Sequence, residues 1–361
     1  MDSRNYTHLL KPLSVGTVNW SDVKKDTGQI SSLLIGPGNA NREIRLNGRD
    51  HLEGMNLNFS WGVHTELGEW HGGLDPHTHP YPECLLFSGL DTASAKYLGA
   101  EISICLGEEQ ETYTFNEPTL VVLPAGMPHG PITTRRMYSP RGFGFWAVEM
   151  NPIPEMTWMG EGVSGLSAEQ RDTAPEGMHF LEADKVLKSR PSEATGKYAH
   201  LVKSLKSFLL AERGKVNPER LKQIQSGRQE VPPGSGEKPG PGSADHMIWL
   251  SGKDLEGMNA TIAWGFCSQP GISRRGVGAH LHPVDEVLVY LGMDPHNPDN
   301  LGAEIEVDLG GEHERHMINE PTAIVCPAGI PHMPSITRWV DRPYAFFAVC
   351  LSGEHKVEAF D

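Results

Sequence analysis

The chain has 361 residues, with 40 glycines, 28 prolines and a formal net charge of −15. That length suggests two domains with full cores, and a Gly and Pro content of about a fifth favours many short strands over long helices. An acidic chain with no basic cluster argues against nucleic acid and anionic membranes as partners, while leaving a small anionic substrate open. No apolar run approaches the roughly twenty residues of a membrane span, and MDSRNYTHLL carries no signal-peptide pattern. Five scattered cysteines (Cys84, Cys105, Cys267, Cys326, Cys350) with no CxxC read as reduced thiols, so a cytoplasmic protein is expected.

In chain order, residues 1–50 read as a lead-in of turn and short strand. Ile30–Ile35 is a candidate strand stopped by Gly36-Pro37-Gly38. Leu57–Val63 alternates and predicts a strand. Cys84–Ser88 reads as a buried strand ended by Gly89. Ala100–Leu106 alternates, turns at Gly107-Glu108-Glu109, and pairs back through Thr112–Phe115. Thr119–Leu123 is an apolar run, Pro124–Pro128 a turn, and Gly142–Met150 an aromatic-rich strand. Turn signals every eight to twelve residues or so predict a barrel or sandwich. Beyond residue 150, Ser167–Arg171, Leu201–Leu210 and Asn217–Gln225 are expected to be helical, the last with Asn217 as N-cap and Pro218 at the first helical position. Glu230–Ser243 is Pro/Gly-rich and expected to be an exposed connector. A second run of strands then ends at Ala345–Leu351. The expected division is 1–165, a connector 166–245, and 246–361.

Two stretches govern this layout. His77-Thr78-His79 is followed by Glu83, and later by Pro124-Ala125-Gly126-Met127-Pro128-His129. A strand alternates its side chains, so His77 and His79 share a face on which Glu83 and His129 can close. Three imidazoles and a carboxylate suit a divalent first-row metal. The pattern recurs as His280, His282, Glu286 and Pro327–His332, each ligand offset by 203 residues from its first copy. Glu53-Gly54-Met55-Asn56, Trp61-Gly62, Leu98–Ile102, Asn116–Thr119 and Arg135 recur at the same offset. Nearer the front, Tyr6 matches Tyr198 at an offset of 192, so the extra residues fall near Arg228–Asp245. A duplicated architecture follows.

The two-part motif resembles that of the cupin superfamily, and its tandem copy resembles a bicupin. Each copy reads HxH, three residues, Glu, five residues, Gly (Gly89, Gly292), then PxGxxH. Three features depart from the common pattern. The interval from glutamate to glycine is one residue short, Thr133 and Ile336 stand where an asparagine is frequent, and the upstream glycine (Gly73, Gly276) is loosely placed. The resemblance implies an all-β chain with minor helices, built as two tandem jelly-roll barrels. It also implies one divalent metal per barrel, Mn or Fe first and Zn, Ni or Co after them. A homodimer acting on a small molecule is expected.

Four protein ligands on a six-coordinate ion leave two adjacent positions open, which can chelate an oxygen pair or hold a substrate beside water or dioxygen. His64, His71 and Arg135 are the candidate catalytic residues. Tyr81, Thr133, Arg274, Arg275, Tyr290 and Arg338 are candidate substrate contacts. Alternation places Thr133 and Arg135 on the inward face beyond His129. The second copy has Cys267 for His64, Arg274 for His71 and Ile336 for Thr133, so the first copy holds more acid/base groups and is the expected working centre. The resemblance favours an enolisable 1,3-dicarbonyl or cyclic polyketone opened by metal-activated water, as in dihydrophloroglucinol cyclohydrolases. The alternatives are a non-haem iron dioxygenase, an oxalate-type decarboxylase, a sugar-acid isomerase, and a non-enzymatic ligand-binding bicupin.

Overall fold

The computed structural model describes residues 5–14, 16–17, 36–188, 190–213, 215–225, 244–272, 278–294 and 296–360. The expected strand Ile30–Ile35 and connector Glu230–Ser243 lie outside them. Among the described residues the chain forms two jelly-roll barrels, each made of two facing, mainly antiparallel sheets. The inner sheet of the first barrel runs Val202–Ser204, Thr119–Leu123, Glu83–Gly89, Phe143–Glu149, Asn58–His64, Arg42–Asn47 and Gly16–Thr17. Its outer sheet is centred on His77–Thr78, His129–Met137, Ala100–Leu106 and Glu111–Phe115. The second barrel repeats this with Thr322–Cys326, Glu286–Gly292, Tyr344–Cys350, Thr261–Cys267 and Ala244–Leu250 inside, and His280–Leu281, His332–Val340, Ala303–Leu309 and Glu314–Ile318 outside. Among the described residues, the strands expected from alternation and apolar runs form within one or two residues of their expected bounds.

The strand Glu83–Gly89 is buried along its whole length, because it lies mid-sheet with a barrel interior on one face and the other barrel behind it. Its terminal glycine is required by a close backbone approach. A Cβ on Gly89 would fall 1.9 Å from the Tyr97 carbonyl oxygen, and one on Gly292 would fall 2.1 Å from that of Asn300.

The barrels pack back to back through one shared apolar core containing Phe59, Trp61 and Trp146 from the first and Ile262, Trp264 and Phe347 from the second. Trp146 and Phe347 occupy equivalent places, each opposite the third residue after the ligand glutamate (Leu86 and Val289), and stack at 3.8 Å with planes 7° apart. Contact between equivalent positions is the signature of a two-fold arrangement, here within one chain.

Two segments cross between barrels. Leu10–Pro12 pairs with Thr322–Cys326 of the second barrel, while Val202–Ser204 pairs with Thr119–Leu123 of the first. The repeated tyrosines follow them. Tyr6 bonds Glu312 of the second barrel at 3.3 Å, and Tyr198 bonds Glu109 of the first at 2.6 Å. Boundaries at 165 and 245 therefore miss a reciprocal exchange of lead-in strands. The expected helix Leu201–Leu210 is corrected by the same feature. It forms the strand Val202–Ser204, a 3-10 turn Leu205–Phe208 and the strand Leu209–Glu212, because two sheet edges offer its backbone partners that outweigh local propensity. The other two helices form. Ser167 and Gln170 make a capping box ahead of Ala168–Asp172, and Asn217 Oδ1 accepts the Glu219 and Arg220 N–H groups ahead of Pro218–Gln225.

Candidate metal centres

In each barrel the ligands converge through pairing of the short HxH strand with the strand that starts at the last histidine. His77 lies opposite His129 and His280 opposite His332. The glutamate comes from the facing sheet, at the first residue of its strand. In the first barrel Glu83 Oε2 lies 3.5 Å from His79 Nε2 and 3.3 Å from His129 Nε2. In the second, Glu286 Oε2 lies 3.4 Å from His282 Nε2 and 2.9 Å from His332 Nε2. The three imidazoles of each set lie with ligating nitrogens within 4.8 Å of one another, all buried.

The tautomers are set for coordination. Every Nδ1 has an acceptor: Asp75 Oδ1 for His77 (2.7 Å), the Glu155 carbonyl for His79 (2.8 Å) and the Met127 carbonyl for His129 (3.1 Å). The carbonyls of Gly278, Lys356 and Ile330 serve His280, His282 and His332 at 3.0, 2.6 and 3.0 Å. With Nδ1–H donating outward, each Nε2 lone pair points into the cluster. His79 Nε2 and His282 Nε2 are buried with no hydrogen-bond partner, a costly arrangement for nitrogens that a cation would satisfy. Both donor sets fit one divalent transition metal per barrel.

The surroundings differ. The Asp75 carboxylate is shared, accepting from His77 on one oxygen and from His71 (2.9 Å) on the other. Burial opposes its ionisation, but the facing imidazoles of His71 and His77 prevail and hold the carboxyl well below the usual range. Room for Asp75 comes from Gly130, where a Cβ would fall 2.6 Å from the Asp75 Cγ. The second copy inverts the pair, with Gly278 in place of Asp75 and Met333 in place of Gly130. Met333 is buried and keeps φ at +77°, a conformation that disfavours side chains. A carboxylate and a side chain there exclude each other, so each barrel keeps one.

His64 is buried and stacked on Trp70 at 3.8 Å and on Phe143 at 5.2 Å. Its Nδ1 donates to the Gly38 carbonyl at 2.9 Å, leaving Nε2 as an acceptor. Burial pushes its pKa down to about 4, so the ring is neutral at neutral pH. His64, His71 and the four ligands line a cavity of about 470 Å³ together with Trp70, Phe145, Trp158, Arg45 and Glu149. The aromatic walls are apolar, and Arg45, in an ion pair with Glu43 at 3.0 Å, is the arginine among the described lining residues.

The remaining candidates fall elsewhere. Thr133 and Arg135 do not line this cavity, and the expectation of inward parity is corrected. A register shift between His129 and Ile132 inserts one residue, so Ile132 and Thr134 turn inward instead. Arg135 Nε donates to Ser103 Oγ at 2.8 Å. The same shift in the second copy turns Ser335 and Thr337 inward, and Arg338 Nε pairs with Glu306 at 2.7 Å. Tyr81 donates to Glu149 Oε2 at 2.6 Å, and burial together with the Glu149 carboxylate raises its pKa far above that of a free phenol. Tyr290 is fully buried and donates to Ser335 Oγ at 3.1 Å. Arg274 and Arg275 lie outside the described residues.

Glu149, Arg45 and Trp158 escaped the sequence reading. Glu149 ends an apolar strand directly opposite Glu83, and a lone acid at the end of such a run was the available signal. Burial and the neighbouring Glu83 charge raise its pKa. Arg45 sits in the lead-in strand Arg42–Asn47, whose place in the wall depends on sheet order rather than on any local pattern.

No family model and no curated protein matches the chain. Solved structures do. A Bacillus subtilis oxalate decarboxylase, studied for its Mn(II) centres, aligns over 90% of this chain and 76% of its own, at a TM-score of 0.51 and 11% identity. A Lactobacillus farciminis oxalate decarboxylase in complex with formate aligns over 92% and 88%, at 0.52 and 13%. The chain thus has the tandem-barrel fold of the bicupins. No described helix is long and apolar enough to cross a membrane.

Proposed function

We propose that the protein is a divalent-metal-dependent enzyme whose first barrel breaks a carbon–carbon bond beside a carbonyl in a small, oxygen-rich acid. The observation that carries this reading is the composition of one cavity. A complete ligand set, a cation and two non-ligand histidines share its wall. The manganese-containing decarboxylases that share the fold favour loss of carbon dioxide over hydrolysis and favour manganese as the metal.

His77, His79, Glu83 and His129 would hold the ion, which supplies a Lewis acid that polarises the carbonyl. Arg45 suits a substrate carboxylate, since a guanidinium pairs with it through two parallel hydrogen bonds. As the carboxyl carbon leaves as carbon dioxide, the bonding electron pair stays on the carbon next to the carbonyl as an enolate, which then takes up a proton. His71 is suited to carry that proton. Its side chain is 27% exposed at the cavity edge while Asp75 orients it from within. Trp70, Phe145 and Trp158 keep water from the reacting carbon.

The cavity also favours one other reading, hydrolytic opening of a cyclic 1,3-diketone. Aromatic walls and about 470 Å³ accommodate a ring, and neutral His64 with a free acceptor nitrogen could draw a proton from water. Product mass separates the chemistries. With manganese-loaded protein and a panel of keto acids and cyclic diketones, the expected product is lighter than substrate by one carbon dioxide. A product heavier by one water would support hydrolysis instead, and uptake of dioxygen into product would overturn both.

A further inference from the structure

We infer that His355 is a fifth protein ligand of the second-barrel metal, which closes that centre to substrate. His355 follows the last long strand, in a segment that goes on to pair with the HxH strand through Leu281↔Glu358 and His280↔Ala359. A ring nitrogen of His355, a ring nitrogen of His282 and a carboxylate oxygen of Glu286 all lie within 4.8 Å of one another. The His355 and His282 ring centroids are 4.8 Å apart. His355 is 8% exposed and held edge-on against Trp249 at 4.8 Å. Its neighbour Lys356 supplies the carbonyl that orients His282, so the segment is tied to the cluster at two successive residues.

The equivalent segment of the first barrel cannot do this. There Glu155 supplies the carbonyl for His79, and Pro154 precedes it, with no donor side chain. The cavities among the described residues differ in what lines them. The four first-barrel ligands line the cavity described above. A cavity of about 610 Å³ in the second barrel is lined by His355, Trp249, Arg220 and Lys253, but by none of His280, His282, Glu286 or His332. His355 thus stands between that cavity and the ligands. Four imidazoles and a carboxylate on a six-coordinate ion leave at most one open position, too few to chelate a substrate through two oxygens. The inference rests on the second-barrel geometry and holds whichever reaction the first barrel performs.

The test uses the full chain loaded with Co(II), one ion per barrel by metal analysis, titrated with the bidentate oxygen ligand acetohydroxamate while the visible d–d bands are followed. Wild type is expected to chelate it at one of its two ions. His355→Ala is expected to bind it at both, and added imidazole should restore the wild-type second-barrel spectrum. Imidazole rescue distinguishes a lost ligand from a damaged fold. Should His355→Ala lose the second ion, its recovery with imidazole present is the supporting result. Chelation of acetohydroxamate at both ions of wild type, or a spectrum unchanged in His355→Ala, would overturn the inference.

Discussion

In the first barrel the imidazole of His77 rests on the carboxylate of Asp75, whereas in the second the equivalent His280 rests on the carbonyl of Gly278. The ligand sets are the same, and the difference begins one contact outward. A carboxylate makes the imidazole a stronger donor and, through His71, links the centre to the cavity edge. A backbone carbonyl orients the ring and does nothing more. The barrel interiors follow the same division. The first keeps His64 and Trp70 around open space. In the second, Cys267 stands in the place of His64, and Tyr290 and Tyr344 stand in the places of Phe87 and Phe143, with hydroxyls that bond Ser335 and Thr337. Both copies keep the metal ligands, while His64, His71 and Asp75 give way to Cys267, Arg274 and Gly278 in the second.

Several measurements would break or sharpen this contrast. The largest effect is expected from the ligands. His77→Ala should lose one metal equivalent and, with it, about a thousandfold or more in turnover, the several kcal/mol a Lewis acid supplies. His280→Ala should also lose one equivalent yet keep turnover within about tenfold, since barrels in contact influence each other only modestly. Equal loss of turnover in two folded variants would end the assignment of roles.

A pH effect comes next. The unfolded chain takes up a proton at His64 near pH 6.5, and the folded chain does so only near pH 4. The unfolded state therefore binds more protons between those values, and folding stability falls as pH drops through that window. The full difference is on the order of 3 kcal/mol. His64→Phe, which preserves the stacked shape, should remove this component from denaturation midpoints measured between pH 7 and 4. The second barrel, with Cys267 in that place, has no counterpart.

Asp75→Asn should weaken first-barrel metal affinity by about ten- to a hundredfold, by analogy with other carboxylate–histidine pairs. Competition with a chelator would measure it, and the second-barrel affinity should not move. The smallest effects belong to the two arginines turned outward by the register shift. Arg135→Ala and Arg338→Ala should each change stability by about 1 kcal/mol or less and leave the rate constants of turnover unchanged. A large drop in kcat for Arg135→Ala would mean that the strand is read in the wrong register.

The fold was legible because its signals are periodic and local. Alternation in Ala100–Leu106, the turns after it and the constant offset between copies each depend on neighbours in sequence. The ligand set was legible for the same reason, since HxH puts two rings on one face of a strand whatever surrounds it. Arg135 and Thr133 were misplaced because strict alternation ignores an inserted residue, and a bulge inverts every side chain beyond it. The helix expected at Leu201–Leu210 failed because an open sheet edge more than eighty residues away in sequence claimed its backbone.

The sequence alone determined two barrels and two metal sites, because repetition and strand period are written into consecutive residues. Only the tertiary structure decided that the first-barrel ligands line a cavity, that His71 and His77 share Asp75, and that His355 comes within reach of His282. Those contacts join residues from different strands and from the chain's return path. Their geometry comes from sheet order and from the balance of Asp75 against Gly130 or Gly278 against Met333, where the volume of one side chain settles whether another can exist.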